Sequence, residues 1–285
     1  MEFWESGVAN GPFAGYRSAV SDRGRLCVKE LESLDPNWFD ACSLTSRYNV
    51  RLLREWYGSR ILLKTVFARF RDRLLGRSLK FEPAVSYNGL LVFDREDLNG
   101  GGLWHAQNYS RALLDLGIGP CERIFDFCSG PGYIGYFLLA SGYCKTLAMT
   151  DISQAATDVA RYTASYNRIE DIVSIYTSDA LEQIPESEKW DLVVANVPVP
   201  EQDLALSSNI IDYDVQGKLH CRFYGSVKKF MKPGGLILAL NTRKHSSAEY
   251  FRPMIEEGGG QIVETMIQKD FRGVASDRYW LLSRW

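Results

Sequence analysis

From Ile124 to the end of the sequence, short apolar runs alternate with segments whose apolar residues recur at helical spacing. Ile124-Phe125-Asp126-Phe127, Thr146-Leu147-Ala148-Met149-Thr150, Ile172-Val173-Ser174-Ile175-Tyr176, Trp190-Asp191-Leu192-Val193-Val194-Ala195 and Leu236-Ile237-Leu238-Ala239-Leu240 read as successive strands. Between them, Tyr136-Phe137-Leu138-Leu139 opens a buried helix. Ser153 can cap a helix carrying Ala155, Ala156, Val159, Ala160 and Tyr162. A further helix is expected from about Leu219 to Met231, before Lys232-Pro233-Gly234-Gly235. Ile262-Val263 and Tyr279-Trp280-Leu281-Leu282 suggest a closing strand pair, joined by the polar loop from Arg272 to Arg278. Such alternation predicts an α/β fold, a mostly parallel sheet with helices on both faces.

Upstream the pattern changes. Ala84-Val85-Ser86-Tyr87 and Leu90-Leu91-Val92-Phe93 flank Asn88-Gly89, the signal of a hairpin with a type I′ turn. Asn99-Gly100-Gly101-Gly102 breaks the chain and reads as a mobile joint. Leu103 to Tyr109 then leads into a helix expected from Ser110 to Leu116. Residues 46–80 carry Leu52, Leu53, Trp56, Tyr57, Ile61, Leu62 and Val66 near a 3.6-residue period and read as helix. That stretch is basic, through residues such as Arg69, Arg71 and Arg73. A solvated helix face explains this, as does docking of an acidic partner such as RNA or an acidic protein surface. Residues 1–45 have weak periodicity and read as a packed leader or a lid. The expected organisation is 1–80 as a helical or lid region near the substrate, 81–119 as hairpin and glycine-rich connector, and 120–285 as the catalytic domain.

Composition narrows the class. At 285 residues, 46% hydrophobic and 24% charged, the chain can bury a full core. A net charge of −2 gives no global support for nucleic-acid binding. The six cysteines are scattered without a CxxC pair, so neither a zinc site nor a disulfide frame is expected. No basic-then-apolar leader opens the sequence, and no apolar run reaches ~18 residues. A soluble cytoplasmic protein with no metal and no membrane association is expected; oligomeric state is left open.

The chemistry gathers around Asp126 to Gly135. Strand, glycine turn and helix bring backbone N–H groups and a helix N-terminus against a polar ligand. Gly130, Gly132 and Gly135 spell GxGxxG, which alone is a weak sign of a dinucleotide site. Asp151 ends the next strand, where a carboxylate can accept both hydroxyls of a ribose. Asp179 ends the third, where it can accept the exocyclic amine of adenine while the Ala180 N–H donates to a ring nitrogen. Each aspartate alone could be a helix cap. Three acids at successive strand ends point to a ligand, because open α/β sheets bind at the carboxyl edge.

These motifs, with Asp191-Leu192-Val193-Val194-Ala195-Asn196 and Lys232-Pro233-Gly234-Gly235, resemble the class I S-adenosylmethionine-dependent methyltransferases over about residues 120–285. The resemblance implies a Rossmann-like fold with a seven-stranded sheet. It implies S-adenosylmethionine as cofactor, held by Asp126, Cys128, Ser129, Gly130, Gly132, Tyr133, Asp151, Ile152, Asp179, Ala180 and Asn196. Within that superfamily the chain is similar to the protein-glutamine N-methyltransferases that modify release factors, which also carry an N-terminal helical domain and a hairpin. Their Asn-Pro-Pro-Tyr motif reads Asn196-Val197-Pro198-Val199 here. The resemblance gives Asn196 and the carbonyl of Val197 the role of accepting substrate N–H bonds, and counts Pro198 with them in the catalytic motif. Val199 replaces the aromatic residue that packs on a flat substrate, which argues against adenine or cytosine and against the release-factor glutamine.

The expected activity is therefore N-methylation of an amine or amide of a small molecule or peptide, with Trp104, His105, Tyr109 and Val199 as candidate substrate contacts. A protein-glutamine or RNA/DNA N-methyltransferase is the alternative. A nicotinamide dehydrogenase shares the glycine turn and ribose acid but does not predict the Asn-x-Pro tail. A cofactor-binding protein without turnover is the remaining reading.

Overall fold

The apolar runs assemble into one seven-stranded sheet. A computed structural model of the chain describes residues 80–95, 98, 102–201, 212–269 and 275–285. In chain order the elements are β1 (Glu82–Tyr87), β2 (Leu90–Asp94), α1 (Gly102–Asp115), β3 (Cys121–Phe127), α2 (Tyr133–Ala140), β4 (Cys144–Asp151), α3 (Gln154–Asn167), β5 (Val173–Thr177) and β6 (Trp190–Ala195). Then come β7 (Val199–Glu201), β8 (Tyr213–Val215), α4 (Lys218–Val227), β9 (Met231–Thr242), α5 (Ala248–Glu257), β10 (Gln261–Lys269) and β11 (Ala275–Arg284). The readings placed on residues 1–79, on Asn99, Gly100 and Gly101, and on Arg272, Gly273 and Val274 lie outside the described residues.

The sheet order is β10-β11-β9-β6-β3-β4-β5. Strands β5, β4, β3, β6 and β9 are parallel, and β11 runs antiparallel between β9 and β10. After β3 the chain builds outward through β4 and β5. It then returns to the other side of β3 to lay down β6. The order thus reverses between β3 and β6, and at such a reversal the loops splay apart and leave a crevice at the carboxyl ends.

The inner strands are apolar at consecutive positions because both sheet faces are covered. Ile124, Leu192, Val194 and Leu238 pack with Ala106, Tyr109 and Leu113 of α1 and Leu138 of α2. Phe125, Val193 and Ile237 pack with Phe223 and Val227 of α4 and Phe251 and Ile255 of α5. Trp190 is fully buried, its ring 3.7 Å from that of Phe125 between centroids. Its Nε1–H donates to Glu188 Oε2 at 2.8 Å, and the same carboxylate takes two bonds from Arg123 and one from the Tyr176 hydroxyl. Burial alone would raise the Glu188 pKa; these donors bring it below the usual carboxylate range. Away from the crevice, this network ties β3, β5 and β6 together.

The hairpin forms as expected, with Asn88 and Gly89 at φ 47° and 91°. It rests on α2 and α3. Asn167 of α3 accepts from Leu91 N–H at 2.9 Å and donates to Leu91 O at 2.7 Å, serving the strand edge as a neighbouring strand would.

Three element boundaries differ from the reading of the sequence. Helix α1 begins at Gly102 and not at Ser110, because Ala106, Tyr109, Ala112 and Leu113 already repeat at helical spacing and are all buried. Helix α4 ends at Val227 and a 3₁₀ turn follows, because Met231 pairs with Trp190 and starts β9. Helix α5, absent from the sequence reading, is capped by Ser247, whose hydroxyl accepts from Tyr250 N–H at 3.3 Å.

Candidate active site

One wall of the crevice is the glycine turn after β3. Gly130 and Gly132 sit at φ 54° and 90°, a region side chains disfavour. A Cβ on Gly132 would also stand 2.8 Å from Met149 Sδ and 2.9 Å from the Tyr136 ring. Cys128 adopts φ 57°, an uncommon position for a residue with a side chain. Burial, then Asp151, Asp126 and Asp214, hold its thiol well above the ordinary range, so thiolate chemistry is disfavoured there.

Asp126 is fully buried. Its Oδ2 accepts the Gly135 N–H at 2.8 Å, while Oδ1 has no hydrogen-bond partner among the described residues. Burial, with the Asp151 charge adding and the Gly135 bond opposing, pushes its pKa up to about 7. Asp151 sews the turn together, Oδ2 accepting from Gly130 N–H at 2.8 Å and Oδ1 from Ser153 N–H at 2.9 Å. Ile152 beside it is 55% exposed. Asp179 lies at the end of β5, where its Oδ1 accepts from Arg222 Nη1 at 2.9 Å. Ala180 follows at φ 52° and is buried.

The other wall is the end of β6. Asn196 lines a cavity of about 300 Å³, together with Val197, Pro198, Val199 and His105. The Asn196 carboxamide is half-buried and makes no hydrogen bond among the described residues. The floor beneath it is fixed: Tyr109 OH donates to the Ala195 carbonyl at 2.7 Å. Tyr109, a candidate substrate contact from the sequence, is fully buried, and its hydroxyl is committed to this scaffold. It shares a face of α1 with His105, four residues earlier. Burial, reinforced by the Arg278 charge, lowers the His105 pKa to about 3, so its ring is neutral. Its Nδ1 is buried without a partner among the described residues.

Behind the Asn196 loop lies a buried carboxylate–imidazole pair. Val199 starts β7, which pairs in parallel with β8 and sets Asp214 opposite Pro200. Asp214 Oδ2 stands 2.6 Å from His220 Nδ1, and the carboxylate also accepts the N–H groups of Leu219 and His220. Burial raises the Asp214 pKa, but these bonds outweigh it and the net shift is downward.

The turn from Asp126 to Tyr133 therefore meets Asp151 and Ile152, with Asp179 and Ala180 one strand further and Asn196 to Val199 across the reversal. Tyr133 is buried at the first position of α2, so its backbone N–H is what it can offer. Trp104 lies on α1, one residue before His105. Reading the sequence missed the far side of the cavity: Asn241 and Thr242 at the end of β9, Lys244 and His245 just after it, and Asp277 and Arg278 on β11. The signal was there, in polar residues following the apolar run of β9.

A family model described as the methyltransferase small domain matches residues 107–250. A release factor glutamine methyltransferase from Leptospira interrogans serogroup Icterohaemorrhagiae serovar Lai (strain 56601) is 31% identical over 166 residues, 54% of this chain. The match spans 57% of that relative's length. Among solved structures, a protein of Streptococcus mutans assigned to the SAM-dependent methyltransferases aligns with TM-score 0.50 at 12% identity, over 73% of this chain and 56% of that one. The ribosomal protein L11 methylase of Lactobacillus delbrueckii subsp. bulgaricus aligns with TM-score 0.47 at 16% identity, over 65% and 81%. Among the described residues no helix is long and apolar enough to cross a membrane, and no cluster of three or more His, Cys, Asp or Glu is placed to hold a metal.

Proposed function

The chain belongs to the methyltransferase small domain family, and on that premise we propose that it transfers the methyl group of S-adenosylmethionine to an amine or amide nitrogen of a small molecule or peptide. The carrying observation is Asn196: a half-buried carboxamide without a partner among the described residues, at the end of β6, in a cavity across the strand reversal from the glycine turn.

The residues fit the cofactor. Asp126 Oδ1 is a buried acceptor without a donor, which suits the cationic end of an amino acid. Asp151 keeps lone pairs beyond the two N–H bonds it accepts, enough for a ribose diol. Asp179 and Ala180 would meet the adenine edge, and the turn from Cys128 to Gly132 supplies backbone donors. Exposed Ile152 offers an apolar surface to the base.

S-adenosylmethionine supplies an already activated methyl group, so the chain's task is alignment. Asn196 Oδ1 and the Val197 carbonyl accept the N–H bonds of the acceptor and hold its lone pair in one direction. Pro198 fixes the turn that presents this carbonyl. His105, neutral at physiological pH, serves as a hydrogen-bonding wall and not as a proton store. Val199 puts an aliphatic side chain where the resembled family carries its aromatic residue, which favours an aliphatic amine or amide over a nucleobase.

A glutamine side-chain amide within a peptide is the second reading, favoured by the name of the 31%-identical relative. Calorimetric titration with S-adenosylmethionine, S-adenosylhomocysteine and NADH tests the cofactor, with Asp151→Ala as control. Micromolar binding of the first two, lost in the variant, supports the reading; NADH binding alone overturns it. Transfer of labelled methyl to amine and peptide acceptors then tests Asn196→Ala, for which full turnover would refute the assignment. Localisation in the cytoplasm is part of this proposal.

A further inference from the structure

The cavity beside Asn196 holds a cationic side chain whose hydrogen-bonding groups are unengaged among the described residues. Arg278 lines it, half-buried, and no hydrogen bond or ion pair engages its guanidinium among the described residues. Burial lowers its pKa, opposed by neighbouring Asp277, so the charge is held in a poorly solvated place. Lys244 lines the same cavity from the loop after β9, exposed, its ammonium likewise without a partner among the described residues. The two acids of the lining form no ion pair with Arg278 among the described residues: Asp277 favours its charge only from a distance and accepts from the Thr242 hydroxyl at 3.4 Å, and Asp212 has an interaction of its own. A partly desolvated guanidinium with no hydrogen-bonded partner is costly, and a ligand anion that accepts its N–H bonds would relieve that cost.

We infer that the methyl acceptor carries a carboxylate, which Arg278 receives while Asn196 holds the nitrogen. The inference rests on the methyltransferase reading and narrows its substrate class. The planar guanidinium fork matches a carboxylate through two parallel N–H bonds. Both anchors line one cavity of about 300 Å³, small enough that nitrogen and carboxylate belong to one compact molecule or one peptide terminus. Neutral His105 adds no further positive charge to the cavity wall. Lys244, at the exposed rim, would draw the anion in before Arg278 seats it.

The test titrates two matched probes, N-acetylglutamine and its carboxamide N-acetylglutaminamide, into the full chain saturated with S-adenosylhomocysteine. The acid should bind roughly tenfold or more tighter than the amide, as a charge-assisted pair predicts. Arg278→Gln should reduce that preference to about twofold or less, while Arg278→Lys, which keeps charge without the fork, should retain part of it. S-adenosylhomocysteine affinity, read separately, should stay unchanged in both variants. Equal affinity for acid and amide overturns the inference, as does binding of neither or a preference that survives Arg278→Gln. Inorganic phosphate competing as well as the acid would reassign the anion to a phosphate and overturn the carboxylate. If Arg278→Gln does not fold, Arg278→Lys and the wild-type acid–amide pair decide the matter. Failure of S-adenosylhomocysteine to bind removes the underlying reading and this inference with it; its binding with indifference to the acid removes the inference alone.

Discussion

The Tyr109 hydroxyl and the Ala195 carbonyl are joined by a buried 2.7 Å hydrogen bond that spans 86 positions of the chain. It links the helix before the glycine turn to the residue just before Asn196. Burial is the main reason the Tyr109 pKa lies far above its ordinary value, so the hydroxyl keeps its proton for this bond. Tyr109→Phe would leave the carbonyl unpaired, a loss of about 1–3 kcal/mol read from urea denaturation. With the Asn196 loop unpinned, kcat should fall on the order of tenfold. S-adenosylhomocysteine affinity should hold, because the Tyr109 hydroxyl bonds the Ala195 carbonyl and none of the acids at the ends of β3, β4 and β5.

Gly132 is fixed twice, by its φ of 90° and by Met149 and Tyr136 crowding the space a side chain would take. Gly132→Ala should destabilise the protein by roughly 2 kcal/mol or more, since strain and overpacking add. Gly130 is the contrast: its φ is also positive, but a Cβ there would approach only the Leu98 carbonyl, at 3.5 Å. Gly130→Ala should therefore cost about 1 kcal/mol, the strain alone. Thermal unfolding of both variants measures the difference.

Much of this was legible in the sequence, for a definable reason. The strands of the parallel core are apolar on both faces, so Phe125, Val193 and Ile237 stand out as continuous runs. The Asn88-Gly89 turn and the Ser153 cap are local chemistry and appear where local signals place them. What sequence could not supply was side-chain partnership across the fold. Asp179 reads as a free strand-end acid, yet Arg222, 43 positions away, has taken its oxygen. Tyr109 reads as a cleft aromatic, yet its hydroxyl is committed to Ala195. Arg278 lies in a stretch that reads as polar loop, and only the register of β11 against β9 brings it opposite Thr242 and into the cavity.

The Arg222–Asp179 pair is exposed, and Glu182 shares the same guanidinium. Such a pair adds little to stability. It does compete for the oxygen proposed to meet adenine. Arg222→Ala should leave the urea midpoint shifted by less than about 1 kcal/mol in free energy. S-adenosylhomocysteine affinity should rise roughly two- to fivefold, the equivalent of releasing one weak ion pair. Calorimetry on the two proteins side by side gives the answer.

With a pKa lowered to about 3, His105 should stay neutral through the whole physiological range. Its ring nitrogens and carbons should show no chemical-shift change between pH 5 and 8 by NMR. Because the folded pKa lies below the unfolded one, the unfolded state takes up the proton first. The stabilising contribution is complete above pH ~6.5 and declines as the pH falls toward 3. His105→Gln should flatten that part of the acid-denaturation curve, while a titration of the wild-type ring near pH 6.5 would contradict the burial argument.

Asp126 titrates in the opposite sense. Its pKa is raised to about 7 by burial and by the Asp151 charge, so the native state holds a proton that the unfolded chain releases near pH 4. Its stabilising contribution is therefore present below pH ~4 and lost as the pH rises through about 7. Asp151, raised in the same direction by burial, adds in the same sense. Asp126→Asn should flatten the decline in stability from pH 5 to 8. The same proton reports on the ligand. If the cationic end of S-adenosylhomocysteine meets the unpartnered Oδ1, it pulls the carboxyl back to its ionised form. Binding at pH 7 should then release roughly half a proton, seen as a dependence of the calorimetric heat on the buffer's ionisation enthalpy. Asp126→Asn should abolish that dependence. Release that persists in the variant would place the ammonium against another acid and leave the orphaned oxygen of Asp126 to the fold.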